Sequence, residues 1–351
     1  DIDNYSDWAL AEFWMNRLRI FIRVDGSKNI GFGHLYRALA LAQSINLHEI
    51  TFYSRNDKDY CKGFKFLQSH HYLVKPIKSN VEFSKLISED KPDIVINDIL
   101  DTEQNYMTSL KENDVFVVNF EDLGSGNKIA DIVINDLYPD LNPSFNHWYG
   151  LNNAIINPCF EYIFTKPEIN IKVDHVVLTY GGTDPCNLTE KALKALLKIN
   201  YTGRISVILG PGNKNFETIE LITQKLSNEV VIYKSVTNMA EILSKADLAL
   251  TSAGRTVTEL ISLGIPTITM CQNTREMRHN HATTEYGVIN LGLGNSITFE
   301  VLGEHIQLLI NDFDLRSDMN KRMLSAVQNR SNKSIVDKII TEFKKTTNGN
   351  Q

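Results

Sequence analysis

The sequence predicts an α/β protein made of two successive doubly wound units. At 351 residues the chain exceeds the usual size of one hydrophobic core. Short apolar strands alternate with helical segments along most of the chain, a rhythm typical of parallel sheets. A stretch from residue 137 to residue 167 holds four prolines and few periodic signals, and it separates an earlier series of strands from a later one. Each series therefore predicts its own parallel sheet.

The first series begins with a helical pattern from Ser6 to about Arg17, with Asp7 or Ser6 as its cap. A strand over Leu18–Val24, a glycine-containing loop and a helix over His34–Ile45 follow. The remaining segments of this series comprise four apolar runs that predict strands and one clear helix between them. They are Ile50–Tyr53, Ile94–Ile96, Val115–Phe120 and Ile132–Ile134 for the strands, and Val81–Glu89 for the helix.

The second series repeats the pattern with five strands and four helices. The predicted strands are His175–Tyr180, Ile205–Leu209, Val230–Tyr233, Leu248–Thr251 and Thr267–Met270. The predicted helices are Leu188–Lys198, Phe216–Leu226, Met239–Ser244 and Thr256–Leu263. From Phe299 to about Lys345 the pattern is helical throughout. These elements predict a tail over residues 1–17, a first domain over 18–165 and a second domain over 166–351.

Composition and charge exclude several classes of protein. The net charge of −6 lacks the basic excess of a nucleic-acid binder. Uninterrupted apolar runs stay below eighteen residues, so the sequence predicts no membrane span. The four cysteines are scattered and form no CxxC pair, which favours reduced thiols in a cytoplasmic protein over a metal site or disulfides. They are Cys61, Cys159, Cys186 and Cys271.

The first loop with candidate chemistry runs from Asp25 to Arg37, between a predicted strand and a predicted helix. Gly31 and Gly33 permit a tight turn close to a ligand. His34 would lie at the helix N-terminus, whose positive partial charge favours a neutral imidazole suited to act as a general base. Arg37, one turn further along, would bind a phosphate or a carboxylate. The alternatives are a histidine that caps the helix and a solvated arginine.

The second loop, Tyr180–Asn187, also joins a strand to a helix. Two glycines followed by a hydroxyl predict a turn whose backbone N–H groups bind an anion. These residues are Gly181, Gly182 and Thr183. The alternative is an ordinary turn in which Asp184 or Asn187 caps the next helix.

The third loop, Thr251–Glu259, has small residues that let a phosphate approach the N-terminus of the following helix. Glu259 lies one turn into that helix, where its two carboxylate oxygens would accept hydrogen bonds from both hydroxyls of a ribose. The alternative is a solvent-facing glutamate. The residues expected near the phosphate are Ser252, Gly254, Arg255 and Thr256.

Two further groups of polar residues are candidates for a ligand site. Asn97-Asp98 and Glu121-Asp122 each follow a predicted strand, where open α/β sheets bind ligands, and either pair would contact a sugar or cap a strand end. Glu276, His279 and His281 do not predict a metal site. Histidines two residues apart do not face the same way on a helix, and the sequence contains no HExxH pattern. That segment remains a candidate substrate loop.

The segment Ile30–Ala42, with its GFGHLYR motif, resembles the opening signature of the PseG-like nucleotide-sugar hydrolases of pseudaminic acid biosynthesis. Loops Tyr180–Asn187 and Ser252–Glu259 resemble two further signatures of that family, and the latter is also similar to the glycosyltransferase that adds N-acetylglucosamine in peptidoglycan synthesis. The resemblance runs from about Arg19 to Gly292. It implies a GT-B fold, in which two Rossmann-like domains enclose a cleft.

The resemblance also implies an activity and a set of site residues. The activity is cleavage of a UDP-2,4-diacetamido-2,4,6-trideoxyhexose by water, without metal or cofactor. His34 matches the family's proposed base, and Glu259 matches its ribose-binding carboxylate. The residues expected on the sugar side are Asp25, Gly31, Gly33, Arg37, Asn97 and Asp98. Those expected to bind the nucleotide are Gly181, Gly182, Thr183, Ser252, Gly254, Arg255, Thr256, Glu259 and Asn273.

Two features modify this expectation. Residues Asp1–Ala11 resemble the C-terminal end of an N-acylneuraminate cytidylyltransferase, which predicts that such a domain is covalently linked to this one. The segment Cys271–His281 is longer and more charged than the Asn-Gln segment of the family. The resemblance predicts a UDP-linked substrate, and because of these departures a CMP-linked sugar is the alternative. The alternative functions are a GT-B glycosyltransferase and a non-catalytic sugar-nucleotide sensor.

Overall fold

A computed structural model describes residues 2–27, 30–45, 47–139, 146–162, 169–234, 236 and 238–348. Thirteen strands and thirteen helices are found in these residues. The strands are β1 Arg19–Val24, β2 Glu49–Arg55, β3 Leu73–Ile77, β4 Ile94–Asp98, β5 Phe116–Phe120, β6 Ile132–Asn135, β7 His147–Tyr149, β8 His175–Thr179, β9 Arg204–Leu209, β10 Val230–Lys234, β11 Leu248–Thr251, β12 Thr267–Cys271 and β13 Val288–Leu293.

The helices alternate with these strands and then continue to the end of the described chain. They are α1 Tyr5–Met15, α2 Gly33–Ser44, α3 Cys61–Gln68, α4 Asn80–Asp90, α5 Gln104–Lys111, α6 Cys159–Tyr162, α7 Leu188–Lys198, α8 Phe216–Thr223, α9 Met239–Leu243, α10 Thr256–Leu263, α11 Phe299–Asn311, α12 Phe313–Ala326 and α13 Asn332–Asn348. Short 3-10 turns lie at Asn127–Ile129, Leu151–Asn153, Glu276–Arg278, Thr284–Tyr286 and Gly294–Ser296.

The strands form two separate sheets, which confirms the predicted pair of doubly wound units. The first has the order β3-β2-β1-β4-β5-β6-β7 and the second the order β10-β9-β8-β11-β12-β13. The pairs from β3 to β6 and throughout the second sheet are parallel. Helices on both faces bury the central strands completely, as in β4 and β8. Buried parallel strands are rich in Val, Ile and Leu, which is why their runs were recognisable.

The structure corrects two of the helical predictions. Helix α1 begins at Tyr5 and is capped by Asn4, whose side-chain oxygen accepts hydrogen bonds from the backbone N–H groups of Ser6 (2.8 Å) and Asp7 (3.1 Å). The predicted caps Ser6 and Asp7 therefore lie inside the helix. The continuous C-terminal helix is interrupted near Asp312, which caps α12, and again between α12 and α13.

The compact units also differ from the predicted domain ranges. The first unit comprises residues 1–135, 143–148 and 332–351, and the second comprises 136–142 and 149–331. The predicted boundary at residues 165 and 166 lies outside the described residues. The final helix belongs to the first unit because α13 packs against α2. Its Phe343 ring also meets Phe116 edge-on at 5.7 Å, and Lys338 lies over Trp148.

Candidate active site

The first candidate site lies where the strand order of the first sheet reverses. Strand β1 pairs with β2 on one side and with β4 on the other. Ligands of open α/β sheets bind at this reversal, beyond the carboxyl ends of the strands. The loop after β1 leads to His34, the second residue of α2, while Asp98 is the last residue of β4. The topology therefore brings together two residues that are 64 positions apart.

His34 and Asp98 form a buried pair. The Nδ1 atom of His34 lies 2.5 Å from Oδ1 of Asp98, and the two residues are 7% and 1% exposed. Burial alone would raise the pKa of Asp98, but the Arg37 guanidinium and the His34 ring hold it at about 2. An ionised carboxylate accepts a hydrogen bond, so Nδ1 carries the proton and donates it to Asp98. The lone pair of a neutral His34 then lies on Nε2, the nitrogen available to accept a proton.

Arg37 binds the same carboxylate. Its Nε atom donates to Asp98 Oδ2 at 2.7 Å, and its Nη2 atom donates to Oδ1. Nη1 lies 2.9 Å from a carboxylate oxygen of Glu121. The Nη2 atom is also 3.2 Å from His34 Nδ1. Both nitrogens are hydrogen-bond donors, so they do not bond to each other. They lie close together because both donate to the same oxygen of Asp98. Arg37 and Asp98 thus bind each other in the structure, and their contacts with a sugar or phosphate stay a prediction.

Asp25 and Asn97, which the sequence predicts to contact the sugar, have partners within the protein, and their contact with the sugar stays a prediction. Asp25 accepts hydrogen bonds from Arg23 Nη2 at 2.7 Å and from the backbone N–H of Arg55 at 2.9 Å. Although burial opposes it, the Arg23 guanidinium lowers the pKa of Asp25. Asn97 is 1% exposed and accepts a hydrogen bond from the Tyr106 hydroxyl at 2.7 Å. Both side chains hold strand ends in place, because these internal partners satisfy them.

The glycines of the first loop shape the entry to α2. Gly31 has φ +77°, a left-handed conformation that favours glycine, and its N–H donates to Ser27 O at 2.9 Å. Gly33 is exposed and opens the helix directly before His34. The structure therefore supports the predicted tight turn here. Residues 28 and 29 of the predicted loop lie outside the described residues.

The second candidate site lies at the corresponding reversal in the second sheet. Strand β8 pairs with β9 and β11, so the loops after β8 and β11 leave from neighbouring strands. These are the two loops that the sequence assigned to a nucleotide. Their proximity within one unit follows from the strand order 10-9-8-11-12-13.

The loop after β8 caps its helix with Asp184. The Asp184 carboxylate accepts hydrogen bonds from the N–H groups of Leu188 (2.8 Å) and Thr189 (2.9 Å), and Gln272 Nε2 donates to it at 2.9 Å. This is the capping alternative, fulfilled by Asp184 and not by Asn187. A carboxylate therefore occupies the start of α7, which disfavours a phosphate there. The predicted anion-binding residues before it are exposed at the turn: Gly181, Gly182 and Thr183.

The loop after β11 leads into helix α10, whose N-terminus has no side-chain cap among the described residues. Within that part of the chain, the N–H groups of Gly254 and Thr256 also have no protein acceptor. Ser252 precedes them and is buried. The helix start can therefore receive an anion. Arg255 forms a two-armed ion pair with the buried Asp136, at 3.2 and 3.3 Å, so its guanidinium is held beside this loop.

Glu259 lies one turn into α10. Its pKa is raised to about 8 because burial penalises the charged form. Within the described part of the chain, its carboxylate has no hydrogen-bond partner, and the residue is partly accessible. A half-buried carboxylate that lacks protein donors is suited to the two hydroxyls of a ribose. The position thus fits the sequence prediction better than a solvent-facing role does.

The segment after β12 supports the third loop. His279 Nδ1 lies 2.7 Å from Ala253 O, and His281 Nε2 lies 3.0 Å from Gly254 O. Burial lowers the pKa of His281 to about 3, so its ring is neutral. Asn273 is exposed, and its side-chain oxygen accepts hydrogen bonds from the N–H groups of Arg275 and Glu276 at 2.9 and 3.0 Å. The two histidines therefore hold backbone carbonyls, and Asn273 folds the segment.

Sequence reasoning missed three contributions to these sites. Asp98 was expected near the sugar, and its pairing with His34 was not foreseen. The sequence places Glu121 at the end of a strand but does not predict its ion pair with Arg37. Gln272 joins the second loop to the end of β12 through Tyr180 O at 3.1 Å and through Asp184. Each contact joins residues distant along the chain, and local pattern carries no signal for such pairs.

Comparison with known proteins gives the fold and a family match for part of the chain. Residues 176–339 match the profile described as "Glycosyltransferase family 28 C-terminal domain". The crystal structure of Acinetobacter baumannii MurG superposes with a TM-score of 0.72, covering 92% of this chain and 99% of that one, at 15% identity. The fold is GT-B-like. Within the described residues of this GT-B chain, no helix is long and apolar enough to cross a bilayer.

Three curated relatives are more similar in sequence to this chain than the MurG of that crystal structure is. An uncharacterized protein of Methanocaldococcus jannaschii, MJ1062, is 32% identical over 276 residues, which is 73% of this chain, and the chain spans 56% of that relative's length. The spore coat polysaccharide biosynthesis protein SpsG of Bacillus subtilis is 25% identical over 87% of this chain and 92% of its own length. The UDP-2,4-diacetamido-2,4,6-trideoxy-beta-L-altropyranose hydrolase of Campylobacter jejuni is 26% identical over 70% of this chain and 89% of its own length.

Proposed function

We propose that this GT-B protein hydrolyses a nucleotide-activated amino sugar, with His34 as the general base. The observation that carries the proposal is the His34–Asp98 pair, which leaves Nε2 of a neutral imidazole as the proton acceptor. The Campylobacter jejuni relative, a hydrolase of a UDP-linked diacetamido trideoxy sugar, supports both the reaction and the substrate class.

The proposed reaction needs no cofactor. Nε2 of His34 takes a proton from water as the water oxygen forms a bond to the anomeric carbon. The bond from that carbon to the diphosphate oxygen breaks, and the nucleotide leaves with the bonding electrons. The products are the free sugar and the nucleoside diphosphate. Asp98 keeps the imidazole in the required tautomer and stabilises the imidazolium that forms.

The second unit is assigned to the nucleotide. We infer that the diphosphate binds at the open start of α10, with the N–H groups of Gly254 and Thr256 as donors. Arg255, held by Asp136, would add a positive charge, and Glu259 would accept the ribose hydroxyls. The exposed turn Gly181–Thr183 stays a predicted contact with the diphosphate, and Asn273 stays a predicted contact with the nucleotide. We favour UDP over CMP because of the hydrolase relative.

A second candidate is transfer of the sugar to an acceptor other than water. The family 28 profile favours it, because its description is that of a glycosyltransferase. The same base would then remove a proton from an acceptor hydroxyl. The cytidylyltransferase predicted from residues 1–11 belongs to neither candidate reaction and stays a prediction.

The test is an NMR-monitored incubation with UDP-diacetamido sugars and CMP-nonulosonic acids, without any acceptor. Hydrolysis predicts release of free sugar and nucleotide. His34→Ala should lower turnover by roughly two to four orders of magnitude, the range for loss of a general base. His70→Ala is the matched control, because His70 is an exposed histidine of the same unit.

The outcomes separate the candidates. Sugar release that survives in His34→Ala would remove His34 from the mechanism. Saturable nucleotide-sugar binding without release would favour the transferase, and turnover that then depends on an added acceptor would establish it. Tight binding that is never followed by reaction, with or without acceptors, would leave a sensor.

A further inference from the structure

Glu121 has an unusual backbone for its position at the end of a strand. It directly follows β5 and has φ +53°, in the left-handed region that side-chain-bearing residues rarely adopt. Its N–H still donates to Ile134 O at 2.9 Å, and the residue is 6% exposed. Such conformations persist where the surrounding structure imposes them, and they cluster at functional sites. The conformation places the Glu121 carboxylate against Arg37.

Arg37 presents an electrostatic problem for the proposed base. Its Nη2 atom lies 3.2 Å from Nδ1 of His34, and the two side chains are 1% and 9% exposed. When His34 takes a proton, a second positive charge forms beside the guanidinium. Asp98 alone cannot balance both charges, since it carries one negative charge. Like charges in a buried site oppose this step.

Glu121 supplies the missing negative charge. With Glu121 included, the four side chains carry a net charge of −1 while His34 is neutral and no net charge once it is protonated. Burial penalises an uncompensated charge. Proton uptake therefore removes a net charge from this cluster, whereas without Glu121 it would create one. The arrangement favours the protonated base in the transition state.

We propose that Glu121 is a positioning residue for the reaction, which assists His34 by neutralising Arg37. This inference rests on the proposed function. It differs from a structural role, in which Glu121 would merely join the end of β5 to α2 through an ion pair. A structural role predicts lost stability, and an electrostatic role predicts lost turnover that depends on the charge of Arg37.

The experiment is a double-mutant cycle on the full chain, using the nucleotide sugar that the wild type hydrolyses. Glu121→Gln should lower kcat by roughly tenfold while KM stays within about twofold, the size of coupling expected between contacting charged residues. Glu121→Asp should restore most of the activity, because it retains the charge. In an Arg37→Gln background, Glu121→Gln should change kcat by less than about twofold. Glu112→Gln, at an exposed position of the same unit, is the matched control.

The readouts distinguish this inference from the proposed function. Full kcat in Glu121→Gln, or an undiminished effect in the Arg37→Gln background, would overturn the role of Glu121 while leaving His34 in place. Wild-type activity in His34→Ala, or no sugar release by the wild type, would overturn both. If Glu121→Gln fails to fold, Glu121→Asp decides the matter together with imidazole 15N spectra. The expected result there is an Nδ1-protonated His34, and loss of that tautomer in Glu121→Asp would refute the inference.

Discussion

Asp98→Asn tests the geometry of the proposed active site most directly, because the substitution keeps the shape of the side chain and removes one acceptor. In the wild type, Oδ1 accepts from His34 Nδ1 and Arg37 Nη2, and Oδ2 accepts from Arg37 Nε. An asparagine offers one oxygen and one NH₂ group. If the oxygen faces His34, the NH₂ group opposes Arg37 Nε, donor against donor. If the NH₂ group faces His34, it donates to Nδ1 and moves the ring proton to Nε2.

The second arrangement blocks the base, because Nε2 can no longer accept a proton. Loss of the correct tautomer removes general-base catalysis, which contributes roughly 10²- to 10⁴-fold to the rate. Asp98→Asn should therefore lower kcat by about that factor. The stability effect follows from the pKa, which the fold depresses from 3.8 to about 2. The ionised Asp98 contributes about 2 kcal/mol above pH 3.8, and this contribution is lost as the pH falls through 2.

The assay is sugar release followed by NMR, combined with calorimetric titration of UDP and chemical denaturation at pH 7 and pH 3. UDP affinity should be unchanged, since the proposed nucleotide site lies in the second unit. The destabilisation by Asp98→Asn should shrink from pH 7 to pH 3. Asp114→Asn is the control, because Asp114 is an exposed aspartate with φ +55°, a conformation that asparagine tolerates. An unchanged kcat in a folded Asp98→Asn variant would refute the proposed roles of His34 and Asp98.

Two other predictions concern the second unit. Burial raises the pKa of Glu259 from 4.5 to about 8, so as far as this group is concerned the protein is most stable below pH 4.5 and loses stability as the pH rises from 4.5 through 8. Glu259→Gln should melt with the wild type at pH 4, below the unfolded pKa, and at a higher temperature at pH 9, and it should bind UDP more weakly in calorimetric titration; equal melting at pH 9 would contradict the burial argument. Gly210→Ala should lower the free energy of unfolding by about 1–3 kcal/mol and weaken UDP binding, because the added Cβ would overlap the backbone of Gly182. Gly182→Ala has open space and should denature like the wild type; equal stability of both variants would contradict the close packing of these loops.

The sequence predicts the central strands of both sheets and the edge strand β10, and it misses the other edge strands. Strand β3 lies at one edge and contains Pro76, a residue that argues against a strand but is tolerated where one side of the ladder is unpaired. Strand β13 is the edge of the second sheet and contains Gly292 at φ +83°. Neither was predicted, because their composition reflects edge positions that only the assembled sheet defines.

In the candidate site, too, the local features could be predicted from the sequence and the long-range contacts could not. The turn at Gly31 and the placement of His34 at the start of a helix follow from local pattern and are confirmed. The contact between His34 and Asp98 does not follow from local pattern, because the two residues meet only after β1 and β4 become neighbours. Periodicity shows that Asp98 ends a strand. It does not show which side chain the carboxylate binds, and that contact decides its role.

Helix α13 follows the second unit along the chain but packs in the first unit, and this order affects how the chain folds during synthesis. This helix packs against α2, the helix that carries His34, and buries Ile335, Val336 and Ile339. A ribosome makes the chain from its N-terminus, and domains tend to fold as they emerge. Here the whole second unit is synthesised before the first can close its core. The helix with the proposed base is therefore the last part of its unit to be covered, and a nascent chain exposes that apolar surface until α13 has been synthesised.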